Sequence, residues 1–241
     1  MLIQQTVEKL NQMRLKGMAQ CYQNQAGQSF SGLSFEERFG ILVDYEYTYR
    51  ENRRLERLLK EARLKVSACL EDIDYQATRG LDRLVMSSLA SCQWILSHQN
   101  VLISGPTGIG KTFIACALAH TACRQGFSAR YYRVSRLLSD LKLSRGDGTY
   151  PKLLSKLAKT NILILDDWGL VSLSVSESQD LLEIIDDRVN AGSTLVASQL
   201  PVEHWHASLA EPSIADAILD RLVHNSHKLF LDGDSMRKKK D

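Results

Sequence analysis

Cysteine is scarce in this chain, and its positions form no recognisable pattern. The 241 residues include five cysteines, an odd number, and no two of them form a C-x-x-C pair. Such a set neither builds a disulfide framework nor supplies the close thiol pairs of a structural zinc site. We therefore expect reduced thiols, most of them buried.

Long hydrophobic runs are also missing. No uncharged apolar stretch comes near the roughly 20 residues that a membrane-spanning helix requires. The first residues, MLIQQTVEKLNQMRLKGM, mix apolar with charged and amide side chains, so they lack the apolar core of a secretory signal. These absences predict a cytoplasmic protein that does not associate with membranes.

Proline is absent before Pro106, so no residue of this type breaks helices in the first part of the chain. Apolar residues recur there at helical spacing, and Ser34 followed by Glu37 matches a capping box at a helix start. The sequence predicts an all-helical N-terminal domain over residues 1–75 and a second domain over residues 76–241. We expect the first domain to serve DNA or partner binding and self-assembly.

The second domain carries a different pattern. Short apolar runs at residues 101–104, 129–133, 161–165 and 193–198 are bounded by glycine and polar residues, and amphipathic segments separate them. Strands that alternate with helices are typical of a parallel sheet with helices on both faces. The predicted fold class is therefore α/β.

A complete phosphate-binding motif lies directly after the first of these strands. Residues 105–112 read GPTGIGKT, which matches G-x-x-x-x-G-K-[ST], and a predicted helix follows at 113–123. Backbone N–H groups cradle phosphates in such a loop, the lysine reaches the terminal phosphates, and the threonine hydroxyl binds Mg²⁺. The predicted ATP-binding residues here are Gly105, Pro106, Thr107, Gly108, Ile109, Gly110, Lys111, Thr112 and Phe113.

Two later strands end in polar side chains that suit the same chemistry. Asp166 and Asp167 follow the buried run 161–165, and we expect Asp166 to hold Mg²⁺ with Thr112 while Asp167 orients or deprotonates the attacking water. Gln199 follows the run 193–198, and an amide between the loop and the acids can position that water. The catalytic prediction therefore includes Lys111, Asp166, Asp167 and Gln199.

The net charge is only +2, but the basic residues are concentrated in two segments. Residues 130–160 carry eight basic and two acidic side chains, and the helical segment 50–65 carries seven and three. Both segments suit contacts to the phosphates of DNA, and a solvated helix face is the alternative for each. The predicted DNA-binding residues are Arg133, Arg136, Lys142, Arg145, Lys152 and Lys156, together with Arg50, Arg54 and Arg57. We expect Leu137, Leu138, Leu141 and Leu143 to bury the opposite helix face.

Several short sequences together resemble one family. They are RLKGMA (14–19), SFEER (34–38), GPTGIGKT (105–112), LILDDWG (163–169), SQLPVEHWH (198–206), IADAILDRLVH (214–224) and GDSMR (233–237). The chain resembles the IstB-type insertion-sequence ATP-binding proteins, transposition helpers in the helicase-loader branch of the AAA+ ATPases.

The resemblance implies a five-stranded parallel AAA+ sheet, a small C-terminal lid, and a homo-oligomer with ATP at the subunit junctions. It also implies binding of duplex DNA and delivery of that DNA to a transposase. Arg221 matches the arginine that acts on a neighbour's nucleotide, with Arg188 as the rival, and Arg237 matches the second sensor that contacts ATP. The second acid is Asp167 where many AAA+ proteins have Glu, so we expect slow hydrolysis.

Two other functions remain open at this point. A helicase-loading adaptor shares the same ATPase pattern and predicts a helicase partner and a preference for single-stranded DNA. A small-molecule P-loop kinase needs an acceptor pocket and an arginine-rich lid, and the positions of Asp167 and Arg221 give it no support.

Overall fold

The structure is a computed structural model that describes residues 2–26, 32–75 and 79–236. The helices are α1 (Leu2–Gln12), α2 (Lys16–Ala26), α3 (Phe35–Ala62), α4 (Arg83–Ala90), α5 (Gln93–Leu96), α6 (Lys111–Arg124), α7 (Val134–Gly146), α8 (Tyr150–Ala158), α9 (Val175–Asp186) and α10 (Pro212–Val223). The strands are β1 (Asn100–Ser104), β2 (Ala129–Arg133), β3 (Ile162–Trp168), β4 (Ser193–Ser198) and β5 (Ser226–Phe230).

The chain divides into two compact units, Met1–Arg57 and Leu58–Asp241. The division lies within helix α3, and residues 58–75 belong to the same unit as the sheet. The predicted functional boundary between residues 75 and 76 stays a prediction.

The first unit is helical in its described residues. The predicted capping box is present at the start of α3, where the Glu37 N–H donates to Ser34 Oγ at 3.2 Å and the Ser34 N–H donates to Glu37 Oε2 at 2.7 Å. Within the same unit, the buried Glu46 accepts the Met18 N–H at 3.0 Å, which ties α2 to α3. These bonds satisfy backbone donors that helix starts otherwise leave free.

The second unit is built on a five-stranded sheet in which every adjacent pair of strands is parallel. The strand order is β2-β3-β4-β1-β5, so β4 lies between β1, which precedes the phosphate-binding loop, and β3, which contains the acid pair near its carboxyl end. The four predicted strands are confirmed, and β3 continues past the predicted end at residue 165 to Trp168. The predicted five-stranded parallel sheet is confirmed, with β5 pairing along the free edge of β1.

Helices cover the sheet because its central strands are buried on both faces. All five residues of β1 and all six of β4 are buried. Leu102, Leu163 and Val196 pack with apolar residues of α7, α9 and α10 in one large core cluster. Helix α6 is buried continuously from Ile114 to Ala119. Such an arrangement buries both faces of a parallel sheet.

All three tryptophans belong to the interior of the described chain. Trp94, Trp168 and Trp205 are each at most 3% exposed, and the rings of Trp168 and Trp205 lie 5.5 Å apart. The indole N–H groups of Trp94 and Trp205 donate to the backbone carbonyls of Leu89 and Leu200, both at 2.9 Å. The tryptophans therefore stabilise the fold.

Four of the five cysteines are buried and all five are free thiols, as the sequence predicts. Among the described residues there is no cluster of three or more His, Cys, Asp or Glu side chains that could hold a metal ion. No helix in the described ranges is both long and apolar enough to cross a membrane.

Two sequence expectations differ from the structure. Leu143 is 67% exposed and does not bury a face of α7 with Leu137, Leu138 and Leu141, because it lies on the solvent side of the helix. The one α-helix after Gln199 in the described residues, α10, packs into the large core cluster, so the expected small lid does not form a separate helical body. Residues 231–236 lie against the phosphate-binding loop instead, with the Leu231 N–H donating to Ser104 and the Met236 N–H donating to Gly108.

Candidate functional site

The phosphate-binding loop runs from the carboxyl end of β1 into the N-terminus of α6. Gly105 and Gly108 have φ values of +149° and +85°, in the range that favours glycine. A Cβ at Gly105 would collide with the Leu231 carbonyl oxygen, and one at Gly108 would collide with the Ser235 side chain. The loop conformation therefore depends on glycine and on the segment that follows β5.

Lys111 and Thr112 occupy the first turn of α6. The Lys111 side chain is buried, and its Nζ donates to the carbonyl oxygens of Gly105 at 2.6 Å and Pro106 at 2.8 Å. The Thr112 hydroxyl donates to Asp166 Oδ2 at 2.9 Å. The loop and the acid pair are therefore joined by a direct hydrogen bond.

The two acids lie at an irregularity in β3. The pairing of β3 with β4 shifts register between Leu165 and Trp168, and Asp167 has a φ of +61°. Left-handed backbone at a non-glycine residue stores strain, and bulges re-aim side chains next to active sites. Here the irregularity leaves Asp166 2% exposed and Asp167 half-buried at the strand end.

Asp166 is surrounded by donors. Its Oδ1 accepts the Asp167 N–H at 3.0 Å, and its Oδ2 accepts the Tyr131 hydroxyl at 2.6 Å in addition to Thr112. Lys65 Nζ lies 3.9 Å from the same Oδ2. Burial, and then the hydrogen bond to Asp166, raise the pKa of Tyr131, so its phenol keeps the proton that it donates.

Asp167 has its own basic neighbour. Arg133, at the end of β2, places Nε 3.4 Å from Asp167 Oδ2, and both side chains are partly exposed. Arg133 is one of the predicted DNA-binding residues, and the structure places it at the acid pair. Tyr131 and Arg133 are two residues apart on β2, so they project from the same face of the strand.

Gln199 follows β4 and reaches the phosphate-binding loop. The Thr107 hydroxyl donates to Gln199 Oε1 at 2.7 Å. Because β4 lies between β1 and β3, Gln199 stands between the loop and the acids, as the sequence pattern indicates. The amide group is therefore held at the edge of the sheet where a nucleotide's terminal phosphate would lie.

These groups line one cavity of about 450 Å³, which is within the size range of small-molecule sites. Its lining residues are Lys65, Val66, Asp72, Asp74, Arg79, Thr107, Gly108, Gly110, Lys111, Thr112, Phe113, Asp166, Asp167, Ala197, Gln199 and Met236. The structure thus brings together nine of the twelve residues predicted at the loop, the acid pair and the amide position, and Gly105, Pro106 and Ile109 are the three that do not line the cavity.

Sequence reasoning missed the residues that approach this cavity from the segment before β1. Lys65 and Val66 line it, and so does the buried Arg79, whose guanidinium donates to the carbonyl oxygens of Ile109 at 3.1 Å and Asp74 at 2.9 Å. Burial lowers the pKa of Arg79. No local motif marks this segment, and its role follows only from the tertiary fold.

The donor set fits a magnesium ion bound together with a nucleotide. Mg²⁺ prefers oxygen ligands and is usually held by one or two carboxylates plus substrate phosphates. The Thr112 hydroxyl and the Asp166 carboxylate supply such oxygens at the mouth of the phosphate loop.

Arg221 and Arg188 differ in the solvent exposure of their side chains. Arg221 on α10 is partly exposed and pairs with Asp186, with Nε 2.6 Å from Oδ1. Arg188 is 2% exposed and donates to the backbone carbonyls of Leu157, Thr160, Asn161 and Ser193. Burial lowers its pKa to about 10. The rival arginine-finger assignment of Arg188 is therefore wrong, because its side chain is enclosed within its own subunit.

Replacing Arg188 with Ala should destabilise the protein by about 3–5 kcal/mol, because several buried carbonyl oxygens lose their donor at once. Denaturant unfolding of the variant measures this loss. Arg124→Ala, at an exposed arginine paired with Glu71, is the matched control and should change stability by less than about 1 kcal/mol. Equal stabilities of the two variants would contradict the structural role of Arg188.

The predicted DNA-binding residues after β2 do not all have the same surroundings. Lys142, Lys152 and Lys156 are exposed on α7 and α8, and Arg136 is exposed with Asp140 3.3 Å away. Arg145 instead pairs with the largely buried Asp180 and lies over the Tyr150 ring, with its Cζ 3.9 Å from the ring centroid. Arg145 thus joins α7, α8 and α9, and only part of its side chain faces solvent.

The predicted basic face of α3 is exposed but largely paired. Arg50 Nε lies 2.6 Å from Glu46 Oε1, and Arg54 lies 3.9 Å from Glu51. Arg57 is exposed one turn further along the helix. Arg237, the predicted second sensor, lies outside the described residues.

Comparison with known proteins identifies the family. The family described as IstB-like ATP binding protein matches residues 8–241. The insertion-sequence ATP-binding protein y4pL of Sinorhizobium fredii is 46% identical over 99% of this chain and 98% of its own. The ATP-binding protein of insertion sequence IS1162 from Pseudomonas fluorescens is 51% identical over 88% of this chain and 93% of its own.

Solved structures are similar to this chain in fold. The crystal structure of DnaI has a TM-score of 0.59 at 22% identity and covers 68% of this chain and 90% of its own. That of the DnaC helicase loader has a TM-score of 0.56 at 18% identity, with 73% and 98% covered. The expected AAA+ fold is confirmed. The match over nearly the full length shows that the chain belongs to the IstB-like ATP binding proteins, P-loop ATPases associated with insertion sequences.

Proposed function

We propose that this protein binds ATP with Mg²⁺, assembles on duplex DNA, and delivers that DNA to the transposase of its insertion sequence. One observation carries the proposal: the phosphate loop, the acid pair and Gln199 converge on a single cavity at the carboxyl edge of the sheet. Ligands of parallel α/β sheets bind at this edge. The insertion-sequence relatives support the transposase as partner.

The residues of the cavity have different roles in ATP hydrolysis. The loop N–H groups and Lys111 would hold the phosphates, and Thr112 and Asp166 would hold Mg²⁺, which would neutralise charge on the transferring phosphoryl group. Asp167 orients and deprotonates the attacking water, and Gln199 hydrogen-bonds that water with the amide hydrogens that Thr107 leaves free. Phosphoryl transfer depends mainly on such positioning and electrostatics.

Assembly completes this site. Arg221 lies on the surface of α10 and does not line the cavity of its own chain. An arginine supplied by a neighbouring subunit stabilises the charge that develops during phosphoryl transfer. We infer that Arg221 leaves its pair with Asp186 when subunits assemble and then contacts the nucleotide bound to the neighbouring subunit. ATP hydrolysis therefore depends on assembly.

The exposed basic residues of α7 and α8 supply the DNA contact. Arg136, Lys142, Lys152 and Lys156 offer charge to the phosphate backbone and carry no base-reading geometry of their own. Binding through them should weaken steeply as salt rises and should depend little on sequence. Arg50, Arg54 and Arg57 on α3 are the proposed second contact, and Arg145 contributes through its exposed part.

Asp167→Asn tests hydrolysis and DNA binding together. The amide keeps the shape of the side chain but cannot take a proton, so the variant should bind ATP with unchanged affinity and hydrolyse it at least about 100-fold more slowly. It should then remain on duplex DNA after ATP addition, whereas the wild-type protein dissociates as it turns over. A stopped-flow measurement of duplex release provides the rates.

Glu203→Gln is the matched control, since it removes one exposed carboxylate charge outside the cavity. It should behave like the wild-type protein. Normal ATP turnover in Asp167→Asn would remove Asp167 from the catalytic residues.

A further inference from the structure

Tyr131 is a half-buried side chain of β2 that belongs to neither the phosphate-binding motif nor the acid pair. Its hydroxyl oxygen lies 2.6 Å from Asp166 Oδ2, the shortest of the contacts to that carboxylate. In the β2–β3 register Tyr131 faces Ile164, two residues before Asp166, so the ring extends along the sheet toward the carboxyl edge. The adjacent Tyr132 projects to the other face and packs against the large core cluster.

The orientation of Asp166 is set by protein donors. The carboxylate is 2% exposed, so bulk water does not hold it. The Asp167 N–H fixes Oδ1, while Thr112 and Tyr131 both donate to Oδ2. A buried carboxylate held at both oxygens keeps one rotamer, which is what a metal-facing ligand requires.

The two hydroxyl donors are not equivalent. Thr112 belongs to the phosphate loop, and its oxygen has lone pairs left for a cation while its single hydrogen points at Asp166. Tyr131 belongs to a strand whose whole length pairs with β3, so its position does not depend on the loop. Of the two hydroxyl donors, Tyr131 is therefore the one that belongs to the sheet, and its hydrogen bond to Asp166 does not depend on the conformation of the phosphate loop.

We propose that Tyr131 is a positioning residue for the metal–nucleotide site: its hydroxyl holds Asp166 in the orientation in which that carboxylate serves Mg²⁺. The inference rests on the proposed role of Asp166. Partners that orient metal ligands typically contribute about 10- to 100-fold to metal affinity or activity.

The test compares Tyr131→Phe with Tyr132→Phe, which each remove one hydroxyl from neighbouring positions of one strand. Mn²⁺ serves as the probe, and its binding in the presence of a non-hydrolysable ATP analogue is titrated by electron paramagnetic resonance. We expect Tyr131→Phe to bind Mn²⁺ about 10-fold more weakly than the wild-type protein, and Tyr132→Phe to match the wild-type protein. Binding of the analogue in excess chelator should be the same in all three proteins.

Thermal unfolding without nucleotide separates positioning from folding. Equal Mn²⁺ affinities in the three proteins, with a lower melting temperature for Tyr131→Phe, would overturn the proposal and leave Tyr131 a structural residue. Failure of the wild-type protein to bind Mn²⁺ with the analogue would overturn both this proposal and the metal assignment of Asp166. A wild-type site that binds Mn²⁺ and loses affinity only in Tyr131→Phe supports both.

Discussion

Lys111→Ala should lose ATP binding while the protein stays folded. The lysine Nζ is held at the loop by two backbone carbonyls, so its charge stands where the terminal phosphates of a nucleotide would lie. Hydrogen bonds to charged groups contribute up to ~3 kcal/mol each, which corresponds to an affinity loss of about 100-fold. Titration with a fluorescent ATP analogue measures the change, and hydrolysis should fall with it.

Lys228→Ala is the matched control for this prediction. Lys228 is an exposed lysine on β5 and does not line the cavity, so its removal changes the net charge equally. It should leave ATP affinity unchanged. An ATP affinity in Lys111→Ala equal to that of the control would show that the cavity is not the nucleotide site.

Arg221→Ala should bind ATP normally and hydrolyse it about 10³-fold more slowly. The side chain lies outside its own cavity, so its loss should not disturb nucleotide binding. In the proposed assembly, the transition state in the neighbouring subunit would lose a stabilising positive charge. Steady-state hydrolysis and equilibrium ATP binding, measured on the same preparation, separate the two effects. Arg124→Ala, at another exposed and paired arginine, should retain wild-type hydrolysis.

Mixing Arg221→Ala with Lys111→Ala tests whether the arginine acts between subunits. In a mixed assembly a Lys111→Ala subunit supplies Arg221 to the intact nucleotide site of an Arg221→Ala subunit, so part of the activity should return. Each variant alone stays inactive. A mixture with no more activity than its components would place the arginine's effect within one chain.

The sequence predicted most of the sheet and the phosphate site because their signals are local. The runs at residues 129–133 and 193–198 match β2 and β4 to the residue, since each is a short run of residues that favour strands and each follows a glycine closely. The GPTGIGKT motif by itself predicts the conformation of the phosphate-binding loop. The polar residues near the ends of the strands indicate the carboxyl edge of the sheet. Local pattern and global fold agree at these positions.

Contacts between segments that are distant in the chain could not be predicted from the sequence. Arg133 and Arg145 are predicted DNA-binding residues and Arg188 is the rival arginine finger, yet the three side chains meet Asp167, Asp180 and a set of buried carbonyls through tertiary packing. Tyr131 and Lys65 approach Asp166 from segments that lie 35 and 101 residues away. No periodicity or motif encodes which side chains a folded sheet will bring together, so a charge count alone overstates the surface available to DNA.

Sedimentation of the full chain tests the central claim most directly. The protein is centrifuged with ATP, with ADP or without nucleotide, each with a long duplex, a single strand or no DNA. The account predicts one large species that requires both ATP and duplex and that is absent from Lys111→Ala. A monomer under every condition, or an assembly that forms only on single strands, would contradict an ATP-dependent assembly on duplex DNA and favour a helicase-loading role.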